Sequence, residues 1–331
     1  MNRCKSSAVL VSVIWAMLLI ATNELMAQTE ERADFRILLH AVDETGQPVP
    51  AADIGFGWGI MDGPKPDSGH ERRTADLHGI ALFEGRTKFP RFVYGARCEG
   101  FYPSQGFESQ HTRQDAGRWE RWGLTIPVVL RAIRNPVPMY ARVVQGSLPA
   151  KEIWVGYDLE RGQWVTPYGQ GQRSDFEFRY EGSVESNKNY DGRLALRFPG
   201  PGNGILAHEQ DPSMRSEFRM PYEAPEEGYV NTWAWRNACI TEKKPGAVSK
   251  YIDESFVGRN FIFRVRSVLD EHGKVIRASY GTIRGPFIFD PRGDNANGHV
   301  KFTYYFNPDQ TRNLEFDPKR NLFRDQNITA P

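Results

Sequence analysis

From residue 260 to residue 306 apolar and polar side chains alternate so regularly that the stretch is predicted to fold as a β-sheet. Phe261, Phe263, Val265 and Leu269 fall on one side, and Arg264 and Arg266 interrupt on the other, the period-two pattern of a strand with one buried face. Asp270, Glu271, His272 and Gly273 are turn formers, and residues 275–282 then resume a strand, so the pair reads as an antiparallel hairpin. Gly285 and Pro286 punctuate, residues 287–289 form a third apolar run, and Val300, Phe302, Tyr304 and Phe306 alternate again after a polar loop. Nothing in this sheet supplies a recognisable catalytic set.

The rest of the chain must pack against that sheet or form a separate unit. At 331 residues there is length for two domains, each able to bury its own core. The 42 Lys and Arg balance 41 Asp and Glu, which gives no charge excess to argue for nucleic acid or an anionic membrane surface. Residues 1–27 read as a signal peptide, with Arg3 and Lys5 ahead of an apolar run over residues 8–20 and Leu25-Met26-Ala27 as a cleavage end. Cleavage near Gln28 is the expectation, and an uncleaved anchor is the alternative. Cys4 leaves with that segment. Cys98 and Cys239 remain, and an oxidising compartment allows them to pair; they fall in different predicted domains, in strand-like sequence, and read as two separately buried thiols.

Residues 35–42 alternate as a first strand, closed by the turn Asp43-Glu44-Thr45-Gly46. A second strand leads to Ile54, another turn feeds residues 74–83, and residues 92–96 and 124–133 supply further strands. The run Val42-Asp43-Glu44-Thr45-Gly46-Gln47-Pro48-Val49-Pro50-Ala51-Ala52-Asp53-Ile54, followed by Thr74, Asp76, Gly79 and Phe83 and then by Gly100-Phe101-Tyr102, resembles the carboxypeptidase regulatory-like domain. That resemblance covers residues 35–133. It implies a transthyretin-like, Ig-type β-sandwich of the sort found in exported bacterial proteins, a module that is usually non-catalytic. Residues 103–123 are longer and more polar than the family's usual connection.

Asn135-Pro136-Val137-Pro138 predicts an extended linker over residues 135–141, because two prolines fix φ and deny helix. Strand-like runs follow at residues 153–159, 163–166, 176–180, 194–198 and 229–240, and no segment offers a long helix at apolar 3.6 spacing. The expected architecture is therefore all-β: a sandwich over 34–134, then a larger antiparallel, jelly-roll-like sandwich over 142–323. Leu314, Phe316, Leu322 and Phe323 mark a last strand or docked extension, and residues 324–331 read as a disordered tail.

Asp175 and Glu177 are the catalytic candidates, since carboxylates at i and i+2 on a strand share a face about 6 to 7 Å apart, within glycosidase range. Arg173 and Arg179 flank them and would hold both ionised, so a solvated strand face is the favoured reading. The loop 290–298 offers Asp290, Asp294, Asn295 and Asn297 as oxygen ligands for calcium. It fails the EF-hand register, which would put Gly293 first and Tyr304 twelfth, and it reads as structural. No zinc spacing, Gly-x-Ser-x-Gly elbow or phosphate-cradling loop occurs, and no cofactor is implied. Trp119, Trp122, Trp164 and Tyr168 are the candidate binding aromatics, suited to stacking on sugars or a partner surface. Trp154, Trp233 and Trp235 read as core. The expectation is a secreted or periplasmic, non-catalytic binding or structural protein with an extracellular polysaccharide or an envelope protein as partner. The alternative is a polysaccharide-active enzyme working through Asp175 and Glu177.

Overall fold

The computed structural model describes residues 32–60, 67–109, 113–114, 117–209, 215–241, 248–255, 259–293 and 297–328. The predicted signal segment, Cys4, Asp294 and Asn295 lie outside the described residues. The chain is all-β and divides into two compact units: Met1–Ala132 with Ser213–Glu217, and Ile133–Pro212 with Phe218–Pro331.

The first unit contains β1 (Ala33–Asp43), β2 (Asp53–Ile60), β3 (Asp67–Thr74), β4 (Ile80–Thr87), β5 (Arg91–Arg97), β6 (Phe101–Tyr102), β7 (Ser104–Ser109), β8 (Arg113–Gln114), β9 (Arg118–Trp119) and β10 (Leu124–Ala132). One sheet runs β6-β10-β1-β9-β8 with β4 also on β1, and the other runs β3-β2-β5-β7. β1 pairs β4 antiparallel but β10 in parallel, from Ile37 opposite Leu124 to Asp43 opposite Leu130. Alternation decides the inward faces. Phe35, Ile37 and Leu39 from β1 meet Ile54 and Phe56 from β2 and Phe92 and Tyr94 from β5 in one core, and the Phe56 ring stacks on Phe83 at 4.8 Å.

The hairpin turns are local and chemically explicit. Asp43 accepts from the Thr45 and Gln47 amides at 2.8 and 3.0 Å. Asp76 does the same for His78 and Ile80 at 2.8 and 2.9 Å. These are Asx turns closed by a glycine. At Gly79, where φ is +74°, a Cβ would lie 2.4 Å from the Ala41 carbonyl oxygen, so both conformation and space demand glycine.

The second unit contains β11 (Tyr140–Ser147), β12 (Val155–Asp158), β13 (Gln163–Trp164), β14 (Phe176–Ser186), β15 (Asn189–Arg197), β16 (Gly204–His208), β17 (Thr232–Ile240), β18 (Lys250–Asp253), β19 (Asn260–Leu269), β20 (Val275–Asp290) and β21 (His299–Asn307). Its sheets run β11-β21-β20-β19-β16 and β13-β12-β14-β15-β17-β18, every pair antiparallel. The inner faces meet in an aromatic-rich core in which Phe287 stacks on Trp235 at 4.1 Å and on Phe302 at 5.0 Å.

The predicted hairpin of residues 261–282 is present as β19 and β20. β20 does not stop at Gly285-Pro286, however; it continues to Asp290 with a register shift between Arg284 and Ile288. A Cβ on Gly285 would fall 2.2 Å from the Arg259 carbonyl oxygen. The residues that read as a break are those a bulge needs. The segment after β21 forms no last strand. Leu314 and Phe316 are buried, a 3-10 turn occupies Pro318–Arg320, and Ile328 packs beside Met139 and Phe316.

Residues 134–139 are stitched into the second unit. The fully buried Glu315 carboxylate accepts from the Arg134 and Asn135 amides at 2.8 and 2.6 Å. The Val137 amide donates to the Glu315 carbonyl at 2.8 Å.

Candidate functional site

A cluster of buried and half-buried charged groups surrounds the connection from β12 to β14. Asp158 ends β12, and its carboxylate accepts four backbone amides: Glu160 and Arg161 on one oxygen, Gln172 and Arg173 on the other, at 2.9 to 3.1 Å. Both ends of the loop 159–174 are thereby tied to one side chain. Burial pushes the Asp158 carboxyl up, but these N–H donors outweigh it and hold its pKa below the ordinary value.

Asp175 sits one residue before β14 and is 3 % exposed. Arg266 grips it with two parallel bonds, Nε to Oδ1 and Nη2 to Oδ2, both 2.8 Å, and the Leu159 amide donates to Oδ2 at 3.1 Å. The third guanidinium nitrogen of Arg266 meets Glu160. Arg266 occupies the β19 bulge with φ at +58°, and its guanidinium lies 4.8 Å from the Phe306 ring centre. Burial opposes its charge, and the Asp175 and Glu160 carboxylates more than compensate, raising its pKa further. A non-glycine residue at positive φ costs about 1–3 kcal/mol and persists only where its surroundings over-determine it. Here a bidentate ion pair does so. The Tyr304 hydroxyl completes the cluster by donating to the Leu159 carbonyl at 2.8 Å.

This geometry corrects the expected solvated pair of carboxylates. Because β14 begins at Phe176, the alternation that would put Asp175 and Glu177 on one face does not extend to Asp175. Glu177 takes separate partners, the Arg197 Nε and the Ser174 hydroxyl. Of the predicted flankers, Arg179 pairs with Glu181 at 2.6 Å, and the Arg173 backbone amide donates to Asp158.

The aromatic candidates divide. Trp164, in β13, packs edge-on against Tyr157 and Phe178 at 5.1 and 5.7 Å. Tyr168 follows four residues later on the same loop and is 39 % exposed. Trp122 is half-buried under the Arg118 guanidinium, 4.6 Å from its ring. Trp119, expected in an exposed polar loop, is buried, and its indole donates to the Thr87 carbonyl at 3.0 Å. Its neighbours Arg118, Glu120 and Arg121 made the segment look like surface, yet Arg118 pairs with Asp34 of β1 as part of β9, which carries Trp119 inward. Trp235 is core, as expected, while Trp154 is half-buried under Arg197.

In the 290–298 loop, Arg292 holds both Asp290 carboxylate oxygens at 2.8 Å; Asn297 is half-buried. Among the described residues no group of three or more His, Cys, Asp or Glu is placed to hold a metal. Cys98 and Cys239 are free thiols, one in each unit.

A separate cavity of about 620 Å³ is lined by Arg134, Asn135, Tyr222, Arg312, Asn313 and Glu315 among others. Its charges serve the fold. Arg312 bridges Glu223 and Glu226 at 2.8 and 2.7 Å, and Arg134 lies 3.6 Å over the Tyr222 ring.

Sequence reasoning missed Asp158, Glu160, Arg266 and Tyr304. Asp158 carried a usable signal: Asp158-Leu159-Glu160-Arg161-Gly162 lengthens by one residue the Asp-x-x-Gly pattern of the turns at Asp43, Asp76 and Asp270. Nothing local marked Arg266, whose partner lies 91 positions away.

No protein-family model matches this chain, and no curated protein matches it. Among solved structures, BcpA, the major pilin subunit of Bacillus cereus, aligns at 9 % identity and a TM-score of 0.21 over 82 % of this chain and 68 % of that one. The major pilin SpaD of Corynebacterium diphtheriae aligns at 10 % identity and a TM-score of 0.23 over 87 % of this chain and 84 % of that one. At these scores neither similarity bears on how this chain acts.

Proposed function

We propose that this chain is an exported, non-catalytic binding protein whose second unit presents the 159–174 loop to a polysaccharide. The observation that carries the reading is the Asp158 carboxylate, which ties both ends of the loop through four backbone amides while Tyr168 stays exposed at its tip. A loop fixed before binding loses little conformational entropy on binding. A tyrosine ring supplies a flat apolar face with a polar tip, the chemistry of stacking on a sugar. Gln163 and Gln170 beside it are exposed and offer amide donors and acceptors to hydroxyl groups. Export is supported by the leader-like residues 1–27.

The enzyme reading through Asp175 and Glu177 is disfavoured by their surroundings. A general acid or nucleophile must reach the substrate, and the Asp175 carboxylate is buried with both oxygens held by Arg266. Affinity electrophoresis of the chain lacking residues 1–27 through gels containing neutral polysaccharides tests the proposal. Retardation that Tyr168→Ala reduces about tenfold, without reducing-end release, is the expected result. Reducing-end release that Glu177→Gln abolishes would overturn it.

A further inference from the structure

The outer face of the β3-β2-β5-β7 sheet is uncovered, and its composition is unusual for a solvent face. Alternation sends Ile54, Phe56, Phe92 and Tyr94 into the core, so Asp53, Gly55, Gly57 and Gly59 of β2 and Val93 and Gly95 of β5 point outward. One cross-strand row reads His70, Gly57, Val93, Phe107, and the next reads Arg72, Gly55, Gly95, Gln105. Val93 and Phe107 are 62 % and 56 % exposed. Around them stand Arg72, Arg91, Arg97, Arg215 and His70, all exposed; among the described residues the carboxylates of this face are Asp53, which pairs with Arg72 at 3.2 Å, and the half-buried Glu217, which alternates outward with Arg215. The Arg215 guanidinium lies 5.8 Å from the Phe107 ring centre.

At Gly57 nothing among the described residues demands a glycine. Gly59 has φ at +89°, and a Cβ on Gly95 would sit 3.1 Å from the Ser104 carbonyl oxygen. At Gly57 a Cβ would meet only backbone oxygens, none closer than 3.7 Å, whereas at Gly55 it would lie 3.7 Å from Nε of Arg72, whose side chain crosses that position. Glycine weakens a strand interior, and where the fold does not require it the position often marks close approach of a ligand.

From the exposed apolar side chains and the excess of cations we infer that this face binds a carboxylated polysaccharide, a polyuronate. The backbone groups of β2 and β5 are consumed in their ladders, so an added peptide strand, which needs an open edge, gains nothing here. A pyranose chain can instead lie flat over Gly57, beside the Arg72 side chain that crosses Gly55, stack against Val93 and Phe107, and offer its carboxylates to the arginine forks. Arg91 and Arg97 are six residues apart on β5, roughly 20 Å, and β3 to β7 spans about 14 Å. Cations spread that widely suit one charge per ring rather than the denser charge of a sulfated chain.

The face lies outside the loop of the second unit, so Tyr168→Ala leaves its binding unchanged and the two proposals fail separately. The test is affinity electrophoresis of the chain lacking residues 1–27 in gels containing polygalacturonate, dextran sulfate, polyglutamate or neutral dextran. Polygalacturonate should retard it most, and the effect should fall as salt rises from 50 to 300 mM, on the order of the change in screening length. Gly57→Val raises strand propensity and keeps the thermal transition, yet fills the floor and should weaken retardation about tenfold. Arg91→Ala/Arg97→Ala should do the same with the core untouched, and decides alone if Gly57→Val does not fold. Absence of retardation by polygalacturonate, equal retardation by polyglutamate or dextran sulfate, or undiminished binding by Arg91→Ala/Arg97→Ala overturns the inference.

Discussion

The two units are both β-sandwiches, but they handle charge differently. Among its described residues the first unit buries the pair of Arg131 with Glu44 and keeps Arg36 with Glu84, Arg72 with Asp53 and Arg86 with Asp34 at its surface. The second carries Asp158, Asp175 and Glu315 inside, with Arg266 half-buried against Asp175, each with partners distant in sequence or at both ends of a loop. Apolar alternation is enough to close a sandwich. Buried ions add a different property, since removing one partner leaves the other charged and unsatisfied. The second unit should therefore be brittle to single polar substitutions that the first tolerates.

The largest effect tests this directly. Asp175→Asn or Arg266→Leu should destabilise the second unit by about 3–5 kcal/mol, the usual result of breaking a buried ion pair, with the first unit's transition unmoved. Guanidinium titration followed by tryptophan fluorescence measures both. A loss below about 1 kcal/mol would mean that the cluster is as wet as a surface pair. Next in size is Asp158→Ala, which leaves four amides without their acceptor and should lose about 2–4 kcal/mol; hydrogen exchange should locate the loss in residues 159–174.

The acid response carries a sign. Asp158 is held below its ordinary pKa in the folded chain, so its stabilisation is complete above the unfolded value near 3.8 and is lost as pH falls through the folded value. Thermal melts from pH 7 to pH 2.5 should place the steep fall of the second unit below about pH 4, and Asp158→Asn should flatten it. In the first unit, Trp119→Phe removes the indole bond to Thr87 and should lose about 1 kcal/mol by chemical denaturation. Glu177→Gln, at a pair with 40 % of the Arg197 side chain exposed, should change stability by less than about 0.5 kcal/mol.

Much of the fold was legible because its causes are local. Phe261, Phe263 and Val265 alternate, Asp43, Asp76 and Asp270 organise their own turns, and each gives the same answer in a peptide-length window. The candidate site was less legible because its causes are not. Arg266 looked like one more polar residue on a strand, and its inward turn depends on a bulge between Val265 and Val268 and a carboxylate from another sheet. Trp119 failed for the same reason: three charged neighbours predict solvent, whereas pairing of β9 with β1 sends the ring inward.

Glu315 sets an order on how the chain can be built. Its carboxylate completes the start of the second unit by holding the Arg134 and Asn135 amides, and Asn321 covers the β11 edge by bonding the Ala141 amide and carbonyl at 3.1 and 2.9 Å. About 180 residues must be synthesised between the first strand of this unit and the side chains that finish its edge. A nascent chain emerging N-terminus first therefore holds a bare strand for most of its synthesis. The first unit also waits, because the amides of Gln105 and Glu217 bond across to the Arg215 and Pro103 carbonyls. The first unit is thus complete only once residue 217 has been made, and the second only after residue 321, so the two close in turn and late.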